Sequence, residues 1–152
     1  MKRFKFSLQA VHNLREMHLD AAEQEFAKVR AELSEAQKQL DEIRQLREAA
    51  MDDYLKLHES GEIQAAVIAT HTEYIGSLMQ LERKTRALIT QIEQKLTTRR
   101  QLVTEAARQT ETTANLRDRQ KERHHLESAR HEQKMLDEMA VAAAKRQGLL
   151  NS

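Results

Sequence analysis

Three side chains near the C-terminal end have the spacing of a metal site on a helix. His124, Glu127 and His131 recur at i, i+3 and i+7, so a helix places two imidazoles and a carboxylate on one face. One helix alone leaves the coordination incomplete, and a solvated polar face explains the same residues. We therefore expect no metal and no cofactor, with zinc binding by this face as the alternative that a titration would exclude.

A basic stretch in the same region raises the possibility of nucleic-acid binding. Its cations are interleaved with Asp118, Glu122 and Glu127, and no aromatic residue lies there to stack on bases. The formal charge of the whole chain is only +1, so no summed field attracts a polyanion. We expect no nucleic-acid partner. The basic stretch consists of Arg117, Arg119, Lys121 and Arg123, followed by His124 and His125.

Nothing in the sequence has the pattern of a catalytic site. There is no glycine-rich phosphate loop and no nucleophile elbow, and the carboxylates are distributed along the chain. Cysteine is absent, which removes thiolate catalysis, disulfides and thiolate zinc sites. The sequence predicts a protein that is not an enzyme.

The composition predicts long uninterrupted helices. Proline is absent, glycine numbers three, and charged residues make up 32% of the chain against 39% apolar residues. A chain rich in strong helix formers and free of helix breakers has a stripe to bury, without the aromatic residues of a globular core. No apolar run of membrane-spanning length or signal-peptide type occurs, so we expect a cytoplasmic protein without direct membrane insertion.

The first half of the chain contains a regular heptad. Eleven of its twelve core positions are apolar, the exception being Arg47. One seam of alternating large and small residues suits a single partner helix. Position a is occupied by Leu19, Phe26, Leu33, Leu40, Arg47 and Tyr54, and position d by Ala22, Val29, Ala36, Ile43, Ala50 and Leu57.

A turn and a second, less regular heptad follow. Ser60 and Gly61 supply the turn, because glycine readily takes the left-handed conformation that ends a helix. We assign the second seam to Tyr74, Leu78, Leu81, Leu88, Ile92, Leu102, Ala106 and Leu116, with Ile89, Leu96 and Val103 just beside it. The prediction is an all-α fold of one domain, 1–152: a long antiparallel two-helix coiled coil, or helical hairpin, with helices at about 7–59 and 63–147 and a turn at about 60–62.

Charge and length indicate how the two helices pair. Residues 19–59 carry six basic and eleven acidic side chains, a net of −5, whereas residues 82–134 carry thirteen and eight, a net of +5. Opposite charge favours an antiparallel pair. Folding at Gly61 leaves roughly 35 residues, about 50 Å of helix, without a partner in the chain. A sparse apolar stripe on a lone helix is marginally stable in water, so another protein or a second copy should cover this arm.

The two ends of the sequence resemble the FliJ family of the bacterial flagellar type III export apparatus. The opening Phe4-Lys5-Phe6-Ser7-Leu8-Gln9-Ala10-Val11, with Leu14-Arg15-Glu16 and Ala21-Ala22, is similar to the family's start, and residues 132–140 are similar to its closing signature. Gly61, Tyr74-Ile75 and Leu78 lie where the family's hairpin turns and its second helix begins. His12 departs from the pattern, because an aliphatic residue is expected there.

The resemblance implies a non-enzymatic part in flagellum biogenesis, and hence in motility and chemotaxis. FliJ proteins look like the central stalk of rotary ATPases, bind the export ATPase, promote assembly of its ring, and contact the export gate and export chaperones. It implies a cytoplasmic protein, peripherally associated with the inner-membrane export apparatus at the flagellar base, and monomeric in isolation. The implied ATPase-facing residues are Phe4, Phe6, Leu8, Gln133, Lys134, Leu136, Asp137 and Glu138; the implied gate-facing residues are Tyr54, Tyr74, Leu78 and Leu81.

Two alternatives remain open at this stage. The equivalent stalk protein of a virulence-type secretion system shares the architecture, and genomic neighbourhood would separate the two. A structural coiled coil whose C-terminal arm pairs with a second copy is the other alternative. Light scattering distinguishes it, because an ATPase stalk should be mainly monomeric in isolation.

Overall fold

The structure is a computed structural model that describes residues 4–61 and 64–150, with side chains through residue 146. It contains two α-helices, α1 (Gln9–Glu59) and α2 (Ala65–Leu150), and no strand within those ranges. The all-α, two-helix prediction is confirmed. Each helix begins two residues later than we expected from the sequence, and residue 62 of the expected turn lies outside the described residues.

The end of α1 is set by Gly61. Its φ of +72° is the only positive value among the described residues, and this left-handed conformation is open to glycine without the steric cost of a Cβ. Just before it, the Ser60 backbone N–H donates to the Lys56 carbonyl at 3.2 Å, and the Ser60 hydroxyl donates to the Leu57 carbonyl at 2.8 Å. The last carbonyls of the helix therefore keep partners where the chain leaves it.

Contacts divide the chain into two compact units. Unit 1 comprises Met1–Leu19 with Ala106–Ser152, and unit 2 comprises Asp20–Glu105. In unit 2 the helices are antiparallel: Glu32 pairs with Lys95 while Arg47 pairs with Glu82, so the position on α2 falls as the position on α1 rises. We predicted one domain along the whole chain, and the structure places these two units within the same pair of helices.

The core of unit 2 follows the predicted seam of α1. All twelve heptad positions of α1 are buried or half-buried. One cluster is formed by Val29, Ala36 and Ile92, with Leu33, Ile89 and Leu96 packed against it. Another is formed by Ala50, Ile75 and Leu78, with Tyr54 against it. Small residues of α1 thus face large residues of α2, which is the close packing that the alternation in α1 predicted.

Five of the eight residues that we assigned to the seam of α2 are wrong by a single position. Tyr74, Leu81, Leu88, Leu102 and Leu116 are 46%, 47%, 47%, 49% and 37% exposed. The seam instead takes the next residue in each heptad, namely Ile75, Glu82, Ile89, Leu96 and Val103. The rest of the seam contains Leu78 and Ile92, as predicted, and also Thr85. The prediction failed for two reasons. At several heptads α2 has apolar side chains at both adjacent positions, such as Leu88 and Ile89, and at one heptad the seam position is a carboxylate, Glu82, which is buried.

Unit 1 combines polar contacts between the helices with aromatic packing. His12, only 2% exposed, has Nδ1 2.8 Å from the Thr113 hydroxyl oxygen. Arg15 Nη1 donates to the Gln109 carbonyl at 2.8 Å. The Phe4 ring meets the His124 ring edge to face, with centroids 5.6 Å apart. The histidine that departs from the family pattern therefore has a buried hydrogen-bond partner on α2.

Truncating a seam residue and a neighbouring exposed residue tests the corrected register. We expect Ile92→Ala to lower the free energy of unfolding by about 2–5 kcal/mol, because it leaves a cavity against Val29 and Ala36. Leu88→Ala, one turn earlier on α2, should change it by less than about 0.5 kcal/mol. Urea denaturation followed by circular dichroism measures both. Equal losses would show that Leu88 lies in the seam after all.

Candidate partner-binding surfaces

The end of α2 is an exposed helical arm. Every side chain from residue 129 to residue 146 is exposed, including Met135 (51%), Leu136 (61%) and Met139 (66%). At about 100° per residue these three lie on one side of the helix, which gives the arm an apolar stripe. Apolar side chains of this size gain free energy when a partner covers them.

The polar candidates for ATPase contact lie on the other side of the arm. Gln133 donates through Nε2 to Asp137 Oδ1 at 3.0 Å, one turn further along. Lys134 and Glu138 have the same spacing, and all four side chains are exposed. Together with Leu136 the five candidates span roughly 200° around the helix. One flat surface cannot touch them all, so a partner that does must surround more than half of the arm.

The N-terminal candidates lie in unit 1 as well. Phe6 is 8% exposed and belongs to the core of this unit, Phe4 is half-buried against His124, and Leu8 is 38% exposed. Residues 4–8 and the arm are therefore parts of the same compact unit. A partner that binds there reaches Leu8 directly, whereas Phe6 already has its contacts within the chain.

The gate-facing candidates fall into two structural groups. Tyr74 and Leu81 are exposed and lie one heptad apart on α2. Leu78, only 6% exposed, belongs to the core, and Tyr54 packs against the same cluster. The centroids of the Tyr54 and His58 rings are 4.6 Å apart. A partner on the surface of unit 2 reaches the first pair, and it reaches Leu78 only if the helices separate.

A charged cluster that sequence reasoning missed lies in the middle of unit 2. Glu82 is 4% exposed and accepts hydrogen bonds from Arg86 Nη2 at 2.6 Å, Arg44 Nε at 3.4 Å and Arg47 Nη1. Burial by itself raises the pKa of this carboxyl, but the hydrogen bond from Arg86 and the charges of Arg47 and Arg86 outweigh burial, so its pKa is lowered. The sequence signal for this cluster was the position of Arg47 in an otherwise apolar seam, because a cation there favours an acidic side chain on the facing helix.

The histidine face that suggested a metal has other contacts. The His124 ring packs against Phe4 and lies 6.2 Å from the His125 ring. Within residues 4–61 and 64–150, no group of three or more His, Cys, Asp or Glu side chains could hold a metal ion. In the same part of the chain, neither helix is apolar over a stretch long enough to cross a membrane.

Comparison with known proteins decides the family. A model of the flagellar FliJ protein family matches residues 4–149, nearly the whole chain. The chain belongs to the FliJ family. It is therefore a component of the type III protein export machinery, of a family that serves as structural parts of the export apparatus.

A solved structure supports the fold of this FliJ-family chain. The putative YscO homolog CT670 from Chlamydia trachomatis superimposes with a TM-score of 0.58 at 17% sequence identity, covering 94% of this chain and 96% of that one. At this identity the likeness concerns the fold, a pair of long helices, rather than the partners. No curated protein sequence matched the chain.

The charged cluster should make stability depend on pH in a defined window. A carboxyl whose pKa is lowered on folding stabilises the fold above its unfolded pKa, near 4.5, and loses this contribution as the pH falls through the folded value. We therefore expect Glu82→Gln to have a lower Tm than the parent at pH 7, with a difference that shrinks below about pH 4.5.

The control for this measurement is Glu48→Gln, which removes an exposed carboxylate from α1. Its Tm should follow that of the parent at every pH. A difference for Glu82→Gln that stayed constant from pH 7 to pH 3 would show that the lost contribution is packing rather than charge.

Proposed function

We propose that this FliJ-family chain is a non-enzymatic coupling factor of flagellar protein export. It binds the flagellar export ATPase, promotes assembly of the ATPase ring, and links the ring to the export gate and export chaperones. It acts in the cytoplasm, peripherally associated with the inner-membrane export apparatus at the flagellar base. Family membership supports the setting, and the individual partners are our inference.

The exposed arm of α2 carries the proposal. Its apolar stripe of Met135, Leu136 and Met139 lies on one side, and Gln133 and Asp137 lie on the other. A single partner helix would use the stripe and leave the polar side in water. A ring that encloses the arm can contact both. Contact with Gln133 and Asp137, which the family resemblance implies, is therefore what favours an enclosing partner over one more helix.

The N-terminal segment supports the same site. Leu8 is exposed in the unit that also contains the arm. Phe4 and Phe6 pack within that unit, which suggests that they act by holding the N-terminal segment on α2 while Leu8 contributes contact. For the gate, exposure favours Tyr74 and Leu81 over the buried Leu78.

Removing the arm tests the ATPase contact. A chain lacking residues 130–152 should lose binding to the export ATPase of the same organism and no longer raise its ring formation or ATP turnover. Because no described side chain from 129 to 146 is buried in the fold, circular dichroism should show the remaining helices intact, with the same Tm within about 2 °C.

Point variants separate the two sides of the arm. Leu136→Ser should weaken ATPase binding by roughly tenfold or more, as expected for an apolar anchor in a buried contact. The double variant Gln133→Ala, Asp137→Ala should also weaken ATPase binding if the polar side of the arm contacts the partner. Met17→Ser, which changes a 66% exposed apolar residue of α1, is the matched control and should bind normally. Full binding without the arm would contradict the proposal.

Light scattering tests the structural coiled-coil alternative. The proposal expects a monomer in isolation, whereas an arm that pairs with a second copy would give a homodimer that deletion of residues 130–152 converts to a monomer.

A further inference from the structure

A row of exposed apolar side chains lies along α2 in unit 2, outside the seam. Leu81, Leu88 and Leu102 are 47%, 47% and 49% exposed, and Tyr74 extends the row by one heptad at 46%. Their spacing is seven or fourteen residues, which returns to the same side of a helix in a coiled coil. We call Tyr74, Leu81, Leu88 and Leu102 the outer row. Scattered surface leucines are ordinary, but a heptad of them is not.

The outer row runs along one identifiable edge of the helix pair. Lys95, which lies one heptad after Leu88 and one before Leu102, forms an ion pair with Glu32 of α1 at 3.1 Å. Leu46 lies two heptads after Glu32 and is 52% exposed. The same edge of unit 2 therefore receives the outer row from α2 and Leu46 from α1.

The α1 side of this edge is acidic. The two sets of heptad positions that flank it between residues 25 and 53 contain five carboxylates and one lysine, a net charge of −4. Lys28 donates a hydrogen bond to Glu25 at 2.7 Å, and this hydrogen bond together with the lysine's charge lowers the pKa of that carboxyl. The charged residues are Glu25, Glu32, Glu35, Glu42 and Asp53, with Lys28.

The opposite edge differs in charge and in apolar content. It is marked by the Glu82 cluster, where Arg44 and Arg86 both reach the buried carboxylate. Its large exposed apolar residues are Met51 (43%), Leu55 (53%) and Met79 (42%), which do not form a row with heptad spacing. A ligand that needs a long apolar stripe and an acidic border therefore has one suitable edge.

We propose that the outer-row edge of unit 2 binds a third α-helix, supplied by a partner protein. The apolar residues of this partner helix recur with heptad spacing and pack on the outer row and Leu46. Basic residues beside its apolar stripe face the carboxylates of α1. Such a helix completes a three-helix coiled coil over Leu81–Leu102, about 32 Å of α2 at 1.5 Å per residue. This surface extends well past the gate-facing candidates Tyr74 and Leu81 and does not depend on ATPase binding.

The size of the surface sets the expected affinity. A helix laid on four or five half-exposed side chains buries less than about 1,200 Å² in total, which is typical of weak, reversible complexes with Kd values in the micromolar range. The acidic border should speed association and make it dependent on salt. The partner would thus bind and dissociate readily.

A synthetic helix tests the proposal on the full-length chain. The probe is a peptide of about 28 residues, four heptads, with leucine at positions a and d and lysine beside them; a matched peptide keeps the leucines and replaces each lysine by glutamate. Fluorescence anisotropy should give a micromolar Kd for the lysine peptide and binding at least about tenfold weaker for the glutamate peptide.

Two double variants locate the binding edge without changing the net charge. Leu88→Ser with Leu102→Ser should weaken the lysine peptide by about tenfold or more. Met51→Ser with Met79→Ser alters the opposite edge and should leave the Kd unchanged. Circular dichroism confirms that both variants remain helical.

Two results would overturn the proposal. Equal binding of the lysine peptide by the parent and by the Leu88→Ser, Leu102→Ser variant would mean that charge alone attracts the peptide. Concentration-dependent dimerisation of the parent that this variant abolishes would assign the edge to a second copy of the chain. Neither experiment contains the export ATPase, so its outcome is independent of the ATPase contact proposed above.

Discussion

The pairing of two helices along a single seam is the constraint on which this structure depends. A two-helix coiled coil buries about one side of each helix, so every layer of the seam must both pack and keep its register. In unit 2 the apolar clusters around Val29 and Ala50 provide the packing. Apolar layers still pack when one helix slides along the other by a heptad, whereas the ion pairs of Glu82 with Arg44 and Arg47 are then broken. Displacement would remove both arginines of α1 from the buried carboxylate and leave it only Arg86 of its own helix, which is unfavourable, and we infer that this cluster fixes the antiparallel register.

The same constraint produces the surfaces available to other proteins. A second helix that is longer than the first must expose its excess length, and α2 has 86 residues against 51 in α1. The arm is the result, and its side chains from residue 129 to residue 146 are all exposed. A helix pair also leaves two open edges along its length, and in unit 2 they are unlike: one has leucines and carboxylates, and the other has arginines around Glu82. The two edges of unit 2 therefore suit ligands of different chemistry.

The sequence predicted the helices well because their signals are local and repeated. The seam of α1 was identified from twelve positions, and Gly61 from the conformation that only glycine adopts readily. In α2 the apolar residues occupy two adjacent heptad positions, such as Leu88 and Ile89, and the pattern alone does not choose between them. Which of the two positions lies in the seam depends on contacts with α1, where Arg47 pairs with Glu82. The candidate sites stay predictions: the terminal motifs indicated the arm, whereas the sequence did not reveal the outer row because we had assigned its leucines to the core.

The two units differ in what holds them together, and this difference bears on which one changes when a partner binds. Among the described residues, the buried side chains of unit 2 are mainly Val, Leu, Ile and Ala, whereas those of unit 1 are Phe6, His12 and Thr113. Hydrogen bonds between helices add about 0.5–1.5 kcal/mol each, less than a fully buried aliphatic side chain provides. Unit 1 should therefore open locally at a lower free energy than unit 2. If a partner binds unit 1 as proposed above, this unit is therefore the one that we expect to rearrange on binding.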